Sequence, residues 1–426
     1  MKGWAEEYSK QRASAGVHYC PAAMLIAMTI RQSGNPYRVH TLQSMLTTPP
    51  LALYIHIPWC VRKCPYCDFN SHRAEADLPE QAYVQALLRD LEGELPAVAG
   101  RMVETIFIGG GTPSLFGAEA IAALLTGVRA RIEVAPEAEI TLEANPGTAE
   151  SGRFRGFRQA GVNRLSLGVQ SFTPEHLRQL GRIHGREDAQ NAARMAREAG
   201  FEQINLDLMF GLPGQTVDQA LADLETAFDL KPTHLSFYQL TLEPNTVFHK
   251  YPPPLPEDET LWAIQQAGQA RLAQRGYAQY EVSAYAREGA RCRHNLNYWR
   301  FGDYLGIGAG AHGKITYMPS RTITRTAKIR HPAHYLEAAG DPIRQGSQTP
   351  VPVTDLRFEF LMNALRLREG FAAGLFSQRT GLPLAALEPE LSMAVDEGLL
   401  EPSGDRIRCT PAGFNFLDTV LQRFLS

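Results

Sequence analysis

The sequence predicts an α/β fold: a partial (β/α)6, TIM-like barrel followed by a small, mainly helical C-terminal domain. Two observations point there. From Leu51 to Leu240 short β-rich runs alternate with longer Ala/Leu/Glu-rich stretches, and polar residues gather where successive β-rich runs end. Strands separated by helical patterns imply βαβ units and a parallel sheet with both faces covered. Six such units fit an incomplete barrel or a doubly wound sheet. The polar residues favour the barrel: Cys60, Gly109 to Thr112, Glu143, Gln170 and Asp207 follow five successive strands, and parallel barrels collect their sites around that rim. An open sheet binds at one switch point instead.

The strands are expected at 51–57, 105–108, 139–143, 164–169, 203–209 and 234–240, with helical segments at 80–95, 118–132 and 217–230 among those between them. A further strand is expected at 280–285, then a polar–aromatic segment at 291–300 and a glycine-rich one at 302–313. Glycines at 306, 308 and 310 lack a βαβ context, so a nicotinamide site is rejected. Helices are expected at 355–367, 384–397 and 411–424, and 398–410 reads as a hairpin turning at Ser403-Gly404-Asp405. The domains are accordingly 1–47, an extension outside the folded protein; 48–285, the barrel; 286–345, a segment completing it; and 346–426, a winged-helix-like domain. Residues 1–44 show no clear period, and Met45 is a natural start, so an upstream start assigned in error or a disordered extension is expected.

A chain of 426 residues with 44% hydrophobic and 20% charged residues has room for a large core. A net charge of -3 offers no broad basic surface for nucleic acid. No apolar run approaches the roughly 18–20 residues that span a bilayer. Six cysteines, three of them within eight residues, make a poor disulfide framework but a good metal site, so a reducing, cytoplasmic compartment is expected.

Those three lie in Tyr54-Ile-His-Ile-Pro-Trp-Cys60-Val-Arg-Lys-Cys64-Pro-Tyr-Cys67-Asp-Phe69. Thiolates are the usual ligands of iron–sulfur clusters. Three of them within one loop hold three irons and leave a fourth open to a small molecule. A structural zinc site needs a fourth donor, which His56 or His72 could supply, so zinc competes as a reading. Buried thiols without metal are a weaker reading at this density.

The CxxxCxxC spacing after a first strand resembles the radical S-adenosylmethionine superfamily, and the whole fits that superfamily's partial barrel. The resemblance implies a [4Fe–4S] cluster on Cys60, Cys64 and Cys67. Its open iron would chelate S-adenosylmethionine, whose C–S bond is cleaved on reduction to give methionine and a 5′-deoxyadenosyl radical. Ile108-Gly-Gly-Gly-Thr112-Pro, Leu142-Glu143-Ala-Asn-Pro, Leu167-Gly-Val-Gln170, Leu180-Gly-Arg182 and Asn205-Leu-Asp207 are similar to the oxygen-independent coproporphyrinogen III oxidase branch. By that resemblance Tyr54, Tyr66, Gly110, Gly111, Thr112, Glu143, Gln170, Arg182 and Asp207 contact the cofactor, Glu143 through its ribose hydroxyls. A structural salt bridge within the barrel is the competing role for Arg182 and Asp207.

Two departures from the oxidase pattern matter. Its motif continues CxxxCxxCxC, whereas Phe69 stands at the fourth cysteine position, and residues 1–44 do not resemble its substrate-gating arm. Cys-Asp-Phe-Asn, His294-Asn295-x-x-Tyr298-Trp299 and the short C-terminal domain resemble the oxidase-like heme chaperones. That resemblance implies heme binding and delivery to respiratory haemoproteins, with transient contact with membrane proteins and a homodimer compatible with it. No catalytic residue is assigned and coproporphyrinogen oxidation is not expected; the oxidase remains the alternative function. His294 is the candidate heme ligand, against an ordinary reading in which it caps a loop while Tyr298 and Trp299 pack in the core. Cys292 could contact heme or be a small buried hydrophobe.

Overall fold

The computed structural model describes residues 45–74, 77–148, 151–338 and 345–425. The expectations for residues 1–44, Cys20 included, lie outside them. Thr47, placed above in an extension, is tied to the fold: its N–H donates to the Gln378 carbonyl (2.9 Å).

Six strands appear in the expected order: β1 (Leu51–Ile57), β2 (Val103–Gly110), β3 (Val134–Ala144), β4 (Arg164–Gln170), β5 (Gln203–Phe210) and β6 (His234–Gln239), each parallel to the next. They are flanked by α1 (Glu80–Glu94), α2 (Ala118–Arg129), α3 (Ser151–Ala160), α4 (Arg186–Glu198), α5 (Val217–Asp229) and α6 (Asp258–Gln274). In α2 the buried Ile121, Leu124, Leu125 and Val128 recur at helical spacing on one side. Each such side chain contributes roughly 1.5–3 kcal/mol when buried. Thr216 starts α5 with a reciprocal box, accepting from the Gln219 N–H while its own N–H donates to the Gln219 side chain (2.9 Å).

The strand expected at 280–285 is instead a small antiparallel pair, β7 (Ala278–Gln279) and β8 (Ala284–Ala286), at one sheet edge. The polar–aromatic segment is a short helix, α7 (Arg293–Trp299). The glycine-rich segment hides β9 (Asp303–Ile307), which inserts parallel to β1. A Cβ at Gly306 would lie 1.9 Å from the His312 carbonyl oxygen, so glycine lets β9 and the returning chain touch. Then β10 (His312–Tyr317), β11 (Thr322–Lys328) and β12 (Gln345–Pro350) add antiparallel strands, completing one sheet in the order β12-β11-β10-β9-β1-β2-β3-β4-β5-β6-β8-β7. The C-terminal domain therefore starts beyond β12, not at 346. It comprises α8 (Val353–Ala364), α9 (Ala373–Thr380), α10 (Glu390–Asp396), a three-stranded sheet of β13 (Phe371–Ala372), β14 (Leu400–Ser403) and β15 (Arg406–Cys409), and, where one helix was expected at 411–424, two short ones, Pro411–Asn415 and Leu417–Gln422. The expected hairpin is β14–β15; α9 and β13 were not expected. Its core of Phe360, Phe371, Phe376 and Phe424 also takes in Phe301 from the barrel side.

Inside the barrel the strands alternate. Glu139-Ile-Thr-Leu-Glu143, Arg164-Leu-Ser-Leu-Gly168, Gln203-Ile-Asn-Leu-Asp207 and His234-Leu-Ser-Phe-Tyr238 place Ile and Leu in the core shared with the helices. The polar partners bond side by side on the inner face of adjacent strands: Ser166 and Asn205 bond Asp207, and His234 bonds Asn205.

Candidate cofactor site

The cysteine loop leaves the end of β1 and is closed on itself. Trp59–Cys60 pairs in parallel with His72–Arg73, His72 N donates to the Pro58 carbonyl and Ala74 N to that of Cys60 (2.7 Å each). The Trp59 ring packs edge-on to Tyr83 (4.8 Å between centroids) and stacks on Phe116 (6.0 Å). His56 holds the loop's far side, with Nε2 2.9 Å from the Asn70 carbonyl oxygen. Burial lowers its pKa to about 4, so it stays neutral.

The three thiols are free and partly exposed. The Thr112 hydroxyl donates to Cys60 Sγ (3.5 Å), Arg182 donates to Cys64 Sγ (3.7 Å), and Ser71 Oγ lies 3.9 Å from Cys67 Sγ. Burial raises the pKa of Cys60 and Cys67, and the Thr112 and Ser71 hydroxyls oppose it. Among the described residues no three His, Cys, Asp or Glu side chains converge on a point as one metal ion needs. A zinc ion binds its thiolates at about 2.3 Å from a single centre, whereas a cluster takes each thiolate on a different iron. Polar donors beside all three sulfurs suit thiolate ligands, one for each of three irons of the cluster that the motif implies.

Gly111 brings β2 against this loop. Its N–H donates to the Ile57 carbonyl (2.8 Å), Thr112 N donates to that of Trp59 (2.7 Å), and a Cβ on Gly111 would lie 2.4 Å from the Trp59 oxygen. Cys64, Thr112, Asn145, Gly181 and Arg182 line one small cleft. Behind it the Gly110 N–H donates to Glu143 Oε2 (3.1 Å). Burial, with the neighbouring Asp207 charge, raises the Glu143 pKa to about 8. Asp207 is also raised by burial, although Ser236, Asn205 and Ser166 bond it. Gln170 has a left-handed backbone (φ 71°) and accepts from the Tyr238 hydroxyl (2.7 Å). Arg182 NH2 donates to the Gly168 carbonyl, while its buried Nε has no partner. Such an orphaned cationic donor, beside amides and carboxylates, suits an amino acid moiety with a ribose. Tyr66 sits against Phe248 (6.4 Å), close to Arg182. Tyr54 lies deeper, its hydroxyl 2.9 Å from His56 Nδ1. Ser166, Ser236 and Tyr238 were not singled out from the sequence; the polar–apolar alternation of β4 to β6 was the signal.

His294 is placed differently from an open heme ligand. It is completely buried, with Nδ1 2.9 Å from the Thr105 hydroxyl and Nε2 2.8 Å from that of Tyr298. Its N–H and that of Arg293 donate to the Glu139 carboxylate, capping α7 from the base of β3 (2.9 and 3.1 Å). Cys292 Sγ donates to the same carboxylate (3.4 Å). Burial pushes the His294 pKa down to about 3 and the Cys292 thiol up to about 12. With both ring nitrogens engaged, His294 has none open to iron in this conformation. Tyr298 in turn meets Tyr304 edge-on (4.6 Å).

Glu143→Gln checks the electrostatics. A carboxyl whose folded pKa is raised contributes stability below its unfolded pKa near 4.5 and loses it as pH rises through about 8. The ligand-free variant is therefore expected to be more stable than the parent at pH 8.5, by on the order of a few kcal/mol, with the gap narrowing at pH 6 and closing only near pH 4.5. Thermal melts at both pH values measure this; an equal difference at both removes the assignment.

A rim of strand ends holding three loop thiols beside a glycine turn, a buried glutamate and an arginine defines a class. The model of the radical SAM superfamily matches residues 54–227, that of the HemN C-terminal domain matches 351–416, and the chain belongs to that superfamily. Within it the chain belongs to the HemW family. It is 52% identical over 382 residues to the heme chaperone HemW of Escherichia coli, covering 90% of this chain and 100% of that protein. It is 49% identical to that of Haemophilus influenzae, covering 89% and 98%. The solved coproporphyrinogen III oxidase HemN of Escherichia coli shares the fold, with a TM-score of 0.76 and 24% identity over 90% of this chain and 92% of that one.

Proposed function

We propose that this protein is a heme chaperone: it holds a [4Fe–4S] cluster on Cys60, Cys64 and Cys67, binds S-adenosylmethionine beside it, binds heme and delivers it to respiratory haemoproteins. Family membership supports the heme part. The observation that separates it from porphyrinogen oxidation is the loop itself, where Phe69, 59% exposed, stands at the position of the oxidase's fourth cysteine. No helix among the described residues is long and apolar enough to cross a membrane. Delivery from the cytoplasm to membrane-bound recipients through transient contact belongs to the same proposal.

Cys60, Cys64 and Cys67 would hold the cluster, which would supply one-electron reduction to S-adenosylmethionine bound beside it. The chain's own groups position the cofactor. Glu143, anchored through one oxygen by Gly110, offers the other to the ribose hydroxyls. Arg182 lines the cleft and keeps an unpaired Nε, which suits a guanidinium that would meet the cofactor's carboxylate. Gln170, fixed by Tyr238, and Asp207, held by Ser166 and Asn205, keep their polar atoms oriented. Burial of these groups strengthens each contact by excluding water.

The reading is tested by giving the anaerobically reconstituted protein coproporphyrinogen III, S-adenosylmethionine and reductant, and following protoporphyrinogen. No turnover is expected, while the same preparation binds heme in an absorbance titration and passes it to an apo-haemoprotein of the respiratory chain. Robust decarboxylation, or no heme binding, would overturn the chaperone reading.

A further inference from the structure

Three imidazoles form a surface cluster against the far end of the cysteine loop, outside the cofactor cleft. His331 is in ring contact with His72 (5.5 Å between centroids) and with His334 (4.7 Å). His331 and His334 are exposed and His72 half-buried. His331 caps the short helix Pro332–Glu337, and His334 lies three residues on, so both present to the same side. Asn70 fastens this segment to the cysteine loop. Its side-chain amide donates to the Ala309 carbonyl (2.9 Å) and to that of Arg330 (2.8 Å), and its Oδ1 is 3.3 Å from His72 Nε2. The cluster is therefore held at a fixed place relative to Cys67 and Phe69 rather than on a free loop.

The surroundings carry unmatched charge and apolar surface. Among the described residues neither Lys63 nor Arg330 has a carboxylate partner, and Lys63 donates only to the Phe69 and Ser71 carbonyls. Burial lowers the His72 pKa, and the His331, Lys63 and Arg330 charges add to this while a hydrogen bond to the Arg330 backbone opposes it. Phe69 and Val61 on the same loop are 59% and 42% exposed. Imidazole nitrogens, cations without counter-charges and an exposed aromatic ring complement an iron porphyrin, which offers a metal with an axial vacancy, two carboxylates and a flat apolar face. Heme needs one axial nitrogen, so the rings need not converge as they would around a lone ion.

We propose that heme docks on this face. One imidazole of His72, His331 and His334 takes the axial position, Lys63 and Arg330 meet the propionates, and Phe69 lies against the macrocycle. The proposal rests on the heme-binding reading above and assigns it a place, with the iron porphyrin next to the cluster loop and the buried His294 uninvolved.

The test is an anaerobic heme titration of the cluster-loaded full chain, read by the Soret band, with iron content and thermal melts confirming that each variant is folded and loaded. The triple variant His72→Ala, His331→Ala, His334→Ala is expected to bind at least tenfold more weakly and to shift the Soret maximum. Arg330→Glu is expected to weaken binding several-fold without moving the band. Parent-like affinity and spectrum in the triple variant would overturn the proposed site while leaving the heme-chaperone reading intact. A parent chain that binds no heme would overturn that reading, and the site with it.

Discussion

Replacing Asp303 by alanine is expected to destabilise the protein by about 3–5 kcal/mol, the cost of leaving a buried charge unpaired. The carboxylate is fully buried at the start of β9. It accepts from Lys314 Nζ (2.9 Å), Arg101 NH1 (2.9 Å), the Thr316 N–H (3.0 Å) and the Thr316 hydroxyl (2.9 Å). Lys314 is itself 2% exposed, so removing Asp303 strands a cation in the core. The double variant Asp303→Leu, Lys314→Met is expected to lose less than Asp303→Ala alone, because it removes both charges. Urea unfolding of the three proteins decides it, and a loss under about 1 kcal/mol for Asp303→Ala would show that the network carries little. A pH dependence follows from the same contacts. Burial alone would raise the Asp303 pKa, but Lys314, the Thr316 amide and Arg101 outweigh it and hold the carboxyl below its ordinary value of 3.8. A depressed folded pKa gives stability that is present above the unfolded value and lost as pH falls through the folded one. This contribution therefore persists at neutral pH and disappears only in acid below about pH 4.

Gly111→Ala is the second large effect, and it acts on the site. The added methyl would collide with the Trp59 backbone, the oxygen at 2.4 Å and the carbonyl carbon at 2.8 Å. Backbone cannot rotate away as a flexible side chain can, so β2 or the cysteine loop must shift. Overpacking of this kind costs about 1–3 kcal/mol. The functional loss is expected to be greater than the stability loss, because the displaced segment carries Cys60 and the Thr112 contact to its sulfur. Iron and sulfide per chain after anaerobic reconstitution are expected to fall several-fold. Gly93→Ala is the control: an added methyl on this α1 residue would meet no neighbour within 4 Å, and alanine there favours the helix by roughly 0.5–1 kcal/mol. Full cluster loading in Gly111→Ala would show that the close approach is dispensable.

What could be read from the sequence was local. The six parallel strands, the cysteine spacing, the glycine turn and the strand-end glutamate are read from neighbours within about ten residues, because strand period and turn chemistry are local properties. β9 was not legible, because the glycine that permits its tight packing against the returning chain also makes the segment resemble a loop. The antiparallel extension β10 to β12 was missed as well. Its polar alternation at Thr322, Thr324 and Thr326 serves a sheet whose existence depends on β9 lying beside β1.

The sequence by itself determined the βαβ order, the three-thiol loop and the family to which both belong, since each is encoded in short-range spacing and residue type. Only the tertiary structure decided what surrounds those thiols. It sealed His294 between Thr105 and Tyr298, and it brought Glu143 and Asp207, on β3 and β5, into electrostatic contact past β4. It also brought His72 to His331 through an Asn70 contact spanning 260 positions. The physical reason is that burial and ion pairing depend on which strands become neighbours. In this sheet, chain distance does not govern that: β9 enters beside β1, and everything fastened to it arrives at the cysteine loop.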